Sequence, residues 1–248
     1  QLKATEKYGD STPRFMATPE QLPLELGATP APTFDNFVAT GNEEAVLRLR
    51  ALIPQVVDGT ATDRLVYLWG EEGSGRSHLL QAICAQTEAG GYEVRTLEPD
   101  APPEAFEFDP TITVWTIDDA ERLDEWAQIA VFNLVNEVRA HPHAAIAISG
   151  AAAPMAMPLR EDLRTRLGWG LVYWLRPLSD ADKVEALRQA ARERGMQLSA
   201  DVPQWLVTHS YRDMPSLMAL LDALDTYSLA RKRAVTLPLV RDMLALMK

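Results

Sequence analysis

The sequence predicts an α/β domain built on a parallel sheet, followed by a small all-helical domain. Three observations lead there. Leu65–Trp69 (LVYLW), Ala144–Ser149 (AAIAIS) and Leu171–Leu175 (LVYWL) are apolar throughout instead of alternating, and Thr111–Ile117 (TITVWTI) is rich in β-branched residues. Strands of that kind are covered on both faces, as in parallel sheets. Helix-period stretches separate them, and after Leu175 only helical patterns follow.

Taken in order, Asn42–Ile53 places Ala45, Val46, Leu49 and Leu52 on one helical face. Leu65–Trp69 is a strand that runs at once into glycines. Arg76–Gln86 is a helix with Leu79, Leu80, Ile83 and Cys84 inward. Tyr92–Thr96 is a strand, and Thr111–Ile117 is a further one that ends on Asp118-Asp119. Trp126–Arg139 is an apolar helix, followed by the strands Ala144–Ser149 and Leu171–Leu175. Ser179, with Asp182 three residues on, caps the next helix, and Gly195 stops it. A short helix lies near Val202–His209. Asp213 caps a longer one carrying Leu217, Met218, Leu221 and Leu224, and the last runs from about Leu237 to Leu246. The expected organisation is a tail over residues 1–32, an α/β domain over 33–178 and a helical domain over 179–248.

The chain has 248 residues, 47% hydrophobic and 24% charged, enough to bury a sizeable core. Its formal net charge of −11 argues against a broad phosphate-binding surface, which needs clustered Lys and Arg. Arg231-Lys232-Arg233 is a local basic cluster of the kind found at solvated helix ends. Cys84 is the single cysteine, so there is neither an intrachain disulfide nor a cysteine zinc site, and it reads as a small core residue. With no long apolar run and no signal-peptide pattern, a cytoplasmic protein is expected. Gln1–Ala17 is polar and patternless, and Met16 is a candidate initiator.

The first strand and its helix are joined by Gly70-Glu71-Glu72-Gly73-Ser74-Gly75-Arg76-Ser77, followed by His78. This is a phosphate loop with arginine in the lysine slot. Glycines let successive N–H groups turn toward one anion, and the helix adds its positive end. Ser77 would offer a hydroxyl to Mg²⁺. Arginine is planar and forked where lysine is a point charge, so binding should survive the exchange better than hydrolysis. Asp118 can hold Mg²⁺ and Asp119 can orient a water; a turn or a helix cap explains such a pair equally well when it stands alone.

These residues resemble the AAA+ module of the bacterial replication initiator DnaA. Thr33-Phe34-Asp35-Asn36-Phe37-Val38 looks like the segment that enters its nucleotide-binding domain, Gly70–Ser77 like its phosphate loop, and Ile117-Asp118-Asp119 like its Walker B strand. Leu163–Gly170 (LRTRLGWG) is similar to the stretch with the arginine finger, and Arg212-Asp213-Met214 to the start of the lid helix that bears sensor 2. The sequence as read ends with the lid at Lys248, without the initiator's helix-turn-helix domain. A short DnaA-like module behind a Q-L-x-L-x-L tail resembles the Hda family, which inactivates DnaA. Within that resemblance Gln21-Leu22-Pro23-Leu24-Glu25-Leu26, tethered by Gly27–Thr33, is similar to peptides that bind the DNA polymerase sliding clamp. Gln21 would bond at the pocket rim, Leu22, Leu24 and Leu26 would enter apolar subsites, and Pro23 would cut the entropy lost on docking.

Two departures accompany the resemblance. Ile148-Ser149-Gly150-Ala151 lacks the acidic residue often found at the last position of sensor 1, and Pro215 stands where a sensor 2 arginine is expected. The resemblance implies a regulator that holds ADP, reaches DNA only through the clamp, docks on ATP-bound DnaA and offers Arg166 to its partner's γ-phosphate. It implies little hydrolysis by the chain itself. Oligomerisation is left open. For Arg166, pairing with Glu161 or Asp162 at a helix end is the alternative. A self-contained AAA+ ATPase and a DNA-binding initiator-like protein are the rival functions.

Overall fold

The computed structural model describes residues 31–246. The tail residues Gln21, Leu22, Pro23, Leu24 and Leu26 lie outside them. Five parallel strands, β1 (Leu65–Trp69), β2 (Glu93–Leu97), β3 (Ile112–Ile117), β4 (Ala145–Gly150) and β5 (Leu171–Trp174), form one sheet in the order β2-β3-β4-β1-β5. The central strands are apolar on both sides because both sides are covered. Val66, Leu68, Val114, Ala145 and Ala147 face one core, made with α1 (Glu43–Val57) and α2 (Arg76–Ala89). The intervening residues Tyr67, Trp115, Ile117, Ile146 and Ile148 face the other, made with α3 (Glu125–Ala140) and α4 (Glu161–Leu167). The period-two alternation is therefore present but hidden by apolar residues at both phases.

The helix expected to stop at Ile53 runs on through Pro54 to Val57. Proline has no N–H to give to the carbonyl of Arg50. Gln86 Nε2 on α2 donates to that oxygen instead, at 3.0 Å, so no backbone acceptor is stranded. Cys84 is only half-buried, with Sγ 3.6 Å from Thr116 Oγ1, and so does not sit in the apolar core.

The helical domain comprises α5 (Asp180–Glu193), α6 (Val202–His209), α7 (Met214–Arg231) and α8 (Leu237–Leu246), packed around Leu187, Leu206, Leu217, Leu221, Leu224 and Val240. Ser179 and Asp182 form a reciprocal capping box on α5. Asp213 accepts from Ser216 N at 2.8 Å to cap α7, and Arg231, Lys232 and Arg233 form its exposed end. No described helix is long and apolar enough to cross a membrane.

Candidate functional site

A cavity of about 630 Å³ opens where the loops leave the C-terminal ends of the strands. That is where ligands bind in open parallel sheets. Its walls are the loop Gly70–Ser77 after β1, Asp119 and Glu121 after β3, Ala151 after β4 and the Asn36–Val38 segment. The helical domain closes it with Lys183 from α5 and Arg212–Pro215 at the start of α7.

The phosphate loop has the backbone its glycines predict. Gly75 is the residue before α2 and sits at φ +96°, where a side chain is strained. A Cβ there would also lie 2.5 Å from Phe37 Cε2. The loop and the entering segment thus touch at a point where only glycine fits.

Arg76 is largely buried, with its side chain 12% exposed. One Nη lies 3.2 Å from Asp119 Oδ1, and the other is 3.8 Å from Glu121 Oε1. Arg76 Nη1 and Ser74 Oγ are both buried and have no hydrogen-bond partner among the described residues. Orphaned buried donors are costly, and two of them in one phosphate-loop cavity suit an oxyanion. A nucleotide di- or triphosphate therefore fits these residues. It would supply the phosphate oxygens that Ser74, Arg76 and the loop N–H groups would hold.

The two aspartates part company. Asp118 Oδ1 accepts from the buried Ser149 hydroxyl and, at 3.1 Å, from Asp119 N. Ser149 Oγ in turn accepts from Asp119 N at 3.0 Å. Asp118 does not line the cavity; Asp119 does, held at φ +51°. Burial, and then the neighbouring Asp118, push the Asp119 carboxyl above its ordinary value, against the pull of Arg76. Among the described residues no cluster of three or more His, Cys, Asp or Glu could hold a metal. Ser77 does line the cavity, so a Mg²⁺ held there would take phosphate and water oxygens as its other ligands.

His78 ties the entering segment to α2. Its Nε2 donates to Thr33 O at 2.9 Å, its ring meets Phe37 edge-on at 5.2 Å, and burial lowers its pKa.

Arg166 lies elsewhere. It falls within the last turn of α4, which continues to Leu167 before Gly168 caps it. Its Nε donates to Asn136 Oδ1 at 2.9 Å. Its guanidinium stacks 3.6 Å over Trp169, which also carries the Arg139 guanidinium at 4.3 Å. Among the described residues neither Nη of Arg166 has a partner, and the pairing with Glu161 or Asp162 does not occur: Asp162 pairs with Arg160 at 3.0 Å. Arg166 lines a separate open concavity with Phe132, Arg160 and Thr165, and takes no part in the phosphate-loop cavity.

Sequence reasoning brought together the loop, Asp119 and His78. It missed Glu121, Lys183 and Arg212 as cavity residues, and Asn136 as the partner of Arg166. Glu121 had a usable signal in its position two residues beyond the strand-end aspartates. Lys183, on a charged amphipathic helix, had none.

A parallel sheet of this order, a phosphate loop after β1, a carboxylate after β3 and a helical lid over the cavity make up a P-loop domain of the AAA+ fold. Residues 180–244 match the family described as "Hda, lid domain". The AMPPCP-bound DnaA of Aquifex aeolicus is similar with a TM-score of 0.64 at 17% identity, over 80% of this chain and 66% of that one. Domain III of the Thermotoga maritima replication initiation protein DnaA gives 0.63 at 20%, over 84% and 93%. The Thermotoga maritima RuvB Holliday junction branch migration motor gives 0.59 at 15%, over 86% and 71%. At these identities the likeness is one of fold. The chain thus has the fold of these AAA+ proteins, and its residues 180–244 are similar to the Hda lid domain.

Proposed function

We propose that this chain regulates chromosome replication initiation. It would hold ADP in the phosphate-loop cavity, dock on an ATP-bound DnaA, and stimulate that partner's hydrolysis. The observation that carries this is the state of Arg166. Its Nε is anchored to Asn136 and its face to Trp169, neither Nη has a partner among the described residues, and the residue lines an open concavity that shares no residue with the phosphate-loop cavity. A fork fixed at its stem with free tips suits a phosphate presented by another molecule.

Two features support the reading that the chain itself hydrolyses ATP weakly. Arg76 is engaged by Asp119 and Glu121, and Asp119 is thereby occupied where a water-orienting carboxylate would be needed. Pro215 brings no charge to the cavity from α7. Through Gln21, Leu22, Pro23, Leu24 and Leu26 the protein would be tethered to the sliding clamp, and so to replicated DNA, in the cytoplasm. Each buried leucine would contribute about 1.5–3 kcal/mol before ordering costs.

The test is hydrolysis of DnaA-bound ATP with and without this protein and DNA-loaded clamp. Arg166→Ala should keep the fold and ADP binding and lose the stimulation, since trans fingers are worth about 10³–10⁵ in rate. Arg166→Lys should restore little. Stimulation by Arg166→Ala equal to the parent's refutes the finger and turns attention to Arg164. Steady ATP turnover by the purified chain alone would instead support a self-contained ATPase.

A further inference from the structure

The α7 residues that line the phosphate-loop cavity are Met214 and Pro215; neither carries a charge, and Pro215 has no N–H. On the loop side Arg76 keeps Nη1 free for a phosphate oxygen, but its charge is already set against Asp119 and Glu121. Glu71, Glu72 and Asp213 add further negative charge to the walls. An anionic ligand entering this cavity therefore needs further positive charge beside Arg76.

Two cations supply it, both from the helical domain. Lys183 lies one turn into α5, with its side chain only 17% exposed. Its ammonium donates to the carbonyl of Arg212 at 2.7 Å, and its nearest carboxylate, Asp180, stands 3.9 Å away. One of three N–H groups is thus used to fix the ammonium, leaving two to donate. Arg212 lines the same cavity, is exposed, and its guanidinium has no hydrogen bond or ion pair among the described residues. The Lys183 bond to the Arg212 backbone holds both residues at the cavity wall.

We infer that Lys183, assisted by Arg212, is the lid's ligand for nucleotide phosphate, moving that role from α7 to α5. The inference rests on the nucleotide reading of the cavity and adds the residue that links the ligand to the lid. A lysine ammonium is a point charge that can follow a phosphate without the fork geometry an arginine requires. Because the Lys183–Arg212 bond joins α5 to the segment that leads into α7, phosphate bound at Lys183 would also draw the lid onto the α/β domain.

The test is calorimetric titration of the full chain with ADP and with adenosine, alongside thermal melts without ligand. Lys183→Ala should weaken ADP binding by about ten- to a hundredfold, the range of a charged hydrogen bond, and change adenosine binding by no more than about twofold. Lys183→Arg should retain most of the ADP affinity. Adding Pro215→Arg to Lys183→Ala should recover part of the loss. Parental ADP affinity in Lys183→Ala overturns the inference. So does an equal loss for ADP and adenosine with a lowered melting temperature, since that marks a lid strut with no phosphate contact. A parent chain that binds no ADP overturns the nucleotide reading itself, and this inference with it.

Discussion

Replacing Gly75 by alanine tests whether the phosphate loop is held by its contact with the entering segment as well as by its backbone. Two costs arise there. At φ +96° a side chain incurs the left-handed penalty of about 1–2 kcal/mol. The new Cβ would also lie 2.5 Å from Phe37 Cε2 and 3.1 Å from Cζ, so the ring must move by roughly an ångström, an overpacking cost of about 1–3 kcal/mol. The sum is about 2–5 kcal/mol. Gly73 is the internal control. It too has positive φ, at +78°, but a Cβ there meets nothing within 4 Å, so Gly73→Ala should cost only the backbone share of about 1–2 kcal/mol. Urea unfolding of the two variants measures the difference. Combining Gly75→Ala with Phe37→Ala should recover the contact share as a coupling energy, because the ring is gone. Gly75→Ala should also weaken ADP binding, since Phe37 lines the cavity. If Gly75→Ala and Gly73→Ala cost the same, and the double variant shows no coupling, the contact with Phe37 does not determine this position.

Other outcomes follow from the same geometry. Ser149→Ala removes a buried hydroxyl bonded to the Asp118 carboxylate and should destabilise by about 1.5–3 kcal/mol, read by denaturant unfolding; a change under about 0.5 kcal/mol would mean that Asp119 N alone suffices for Asp118. Burial lowers the His78 pKa from its ordinary 6.5, so below that pH the unfolded chain binds the proton more readily and stability falls as pH falls. His78→Gln should flatten the slope of melting temperature below pH 6.5, and an unchanged slope would exclude His78 as its source. Alanine at Gln21, Leu22 and Leu24 should abolish clamp capture by the purified protein without shifting its melt; retained capture would place the clamp contact elsewhere.

Much of the architecture is local information. The apolar strands, the capping residues Ser179 and Asp213 and the spacing of Gly70–Ser77 each state their structure within a few residues, because propensity, capping and left-handed backbone are properties of neighbours. The phosphate loop was legible for the same reason. What joins distant segments was not. That Asp119 faces the cavity while Asp118 turns to Ser149 depends on β3 lying beside β4. That Gln86 satisfies the carbonyl freed by Pro54 depends on α1 packing against α2. That Arg166 rests on Trp169 and Asn136 depends on α4 meeting α3, and that Lys183 faces the phosphate loop depends on the lid closing over the sheet. The sequence by itself determined which segments fold and what chemistry the loop carries. Which distant charges meet, such as Arg76 with Asp119, was settled only by the tertiary structure, because such pairing follows distances across a sheet order that hydrophobic periodicity does not encode.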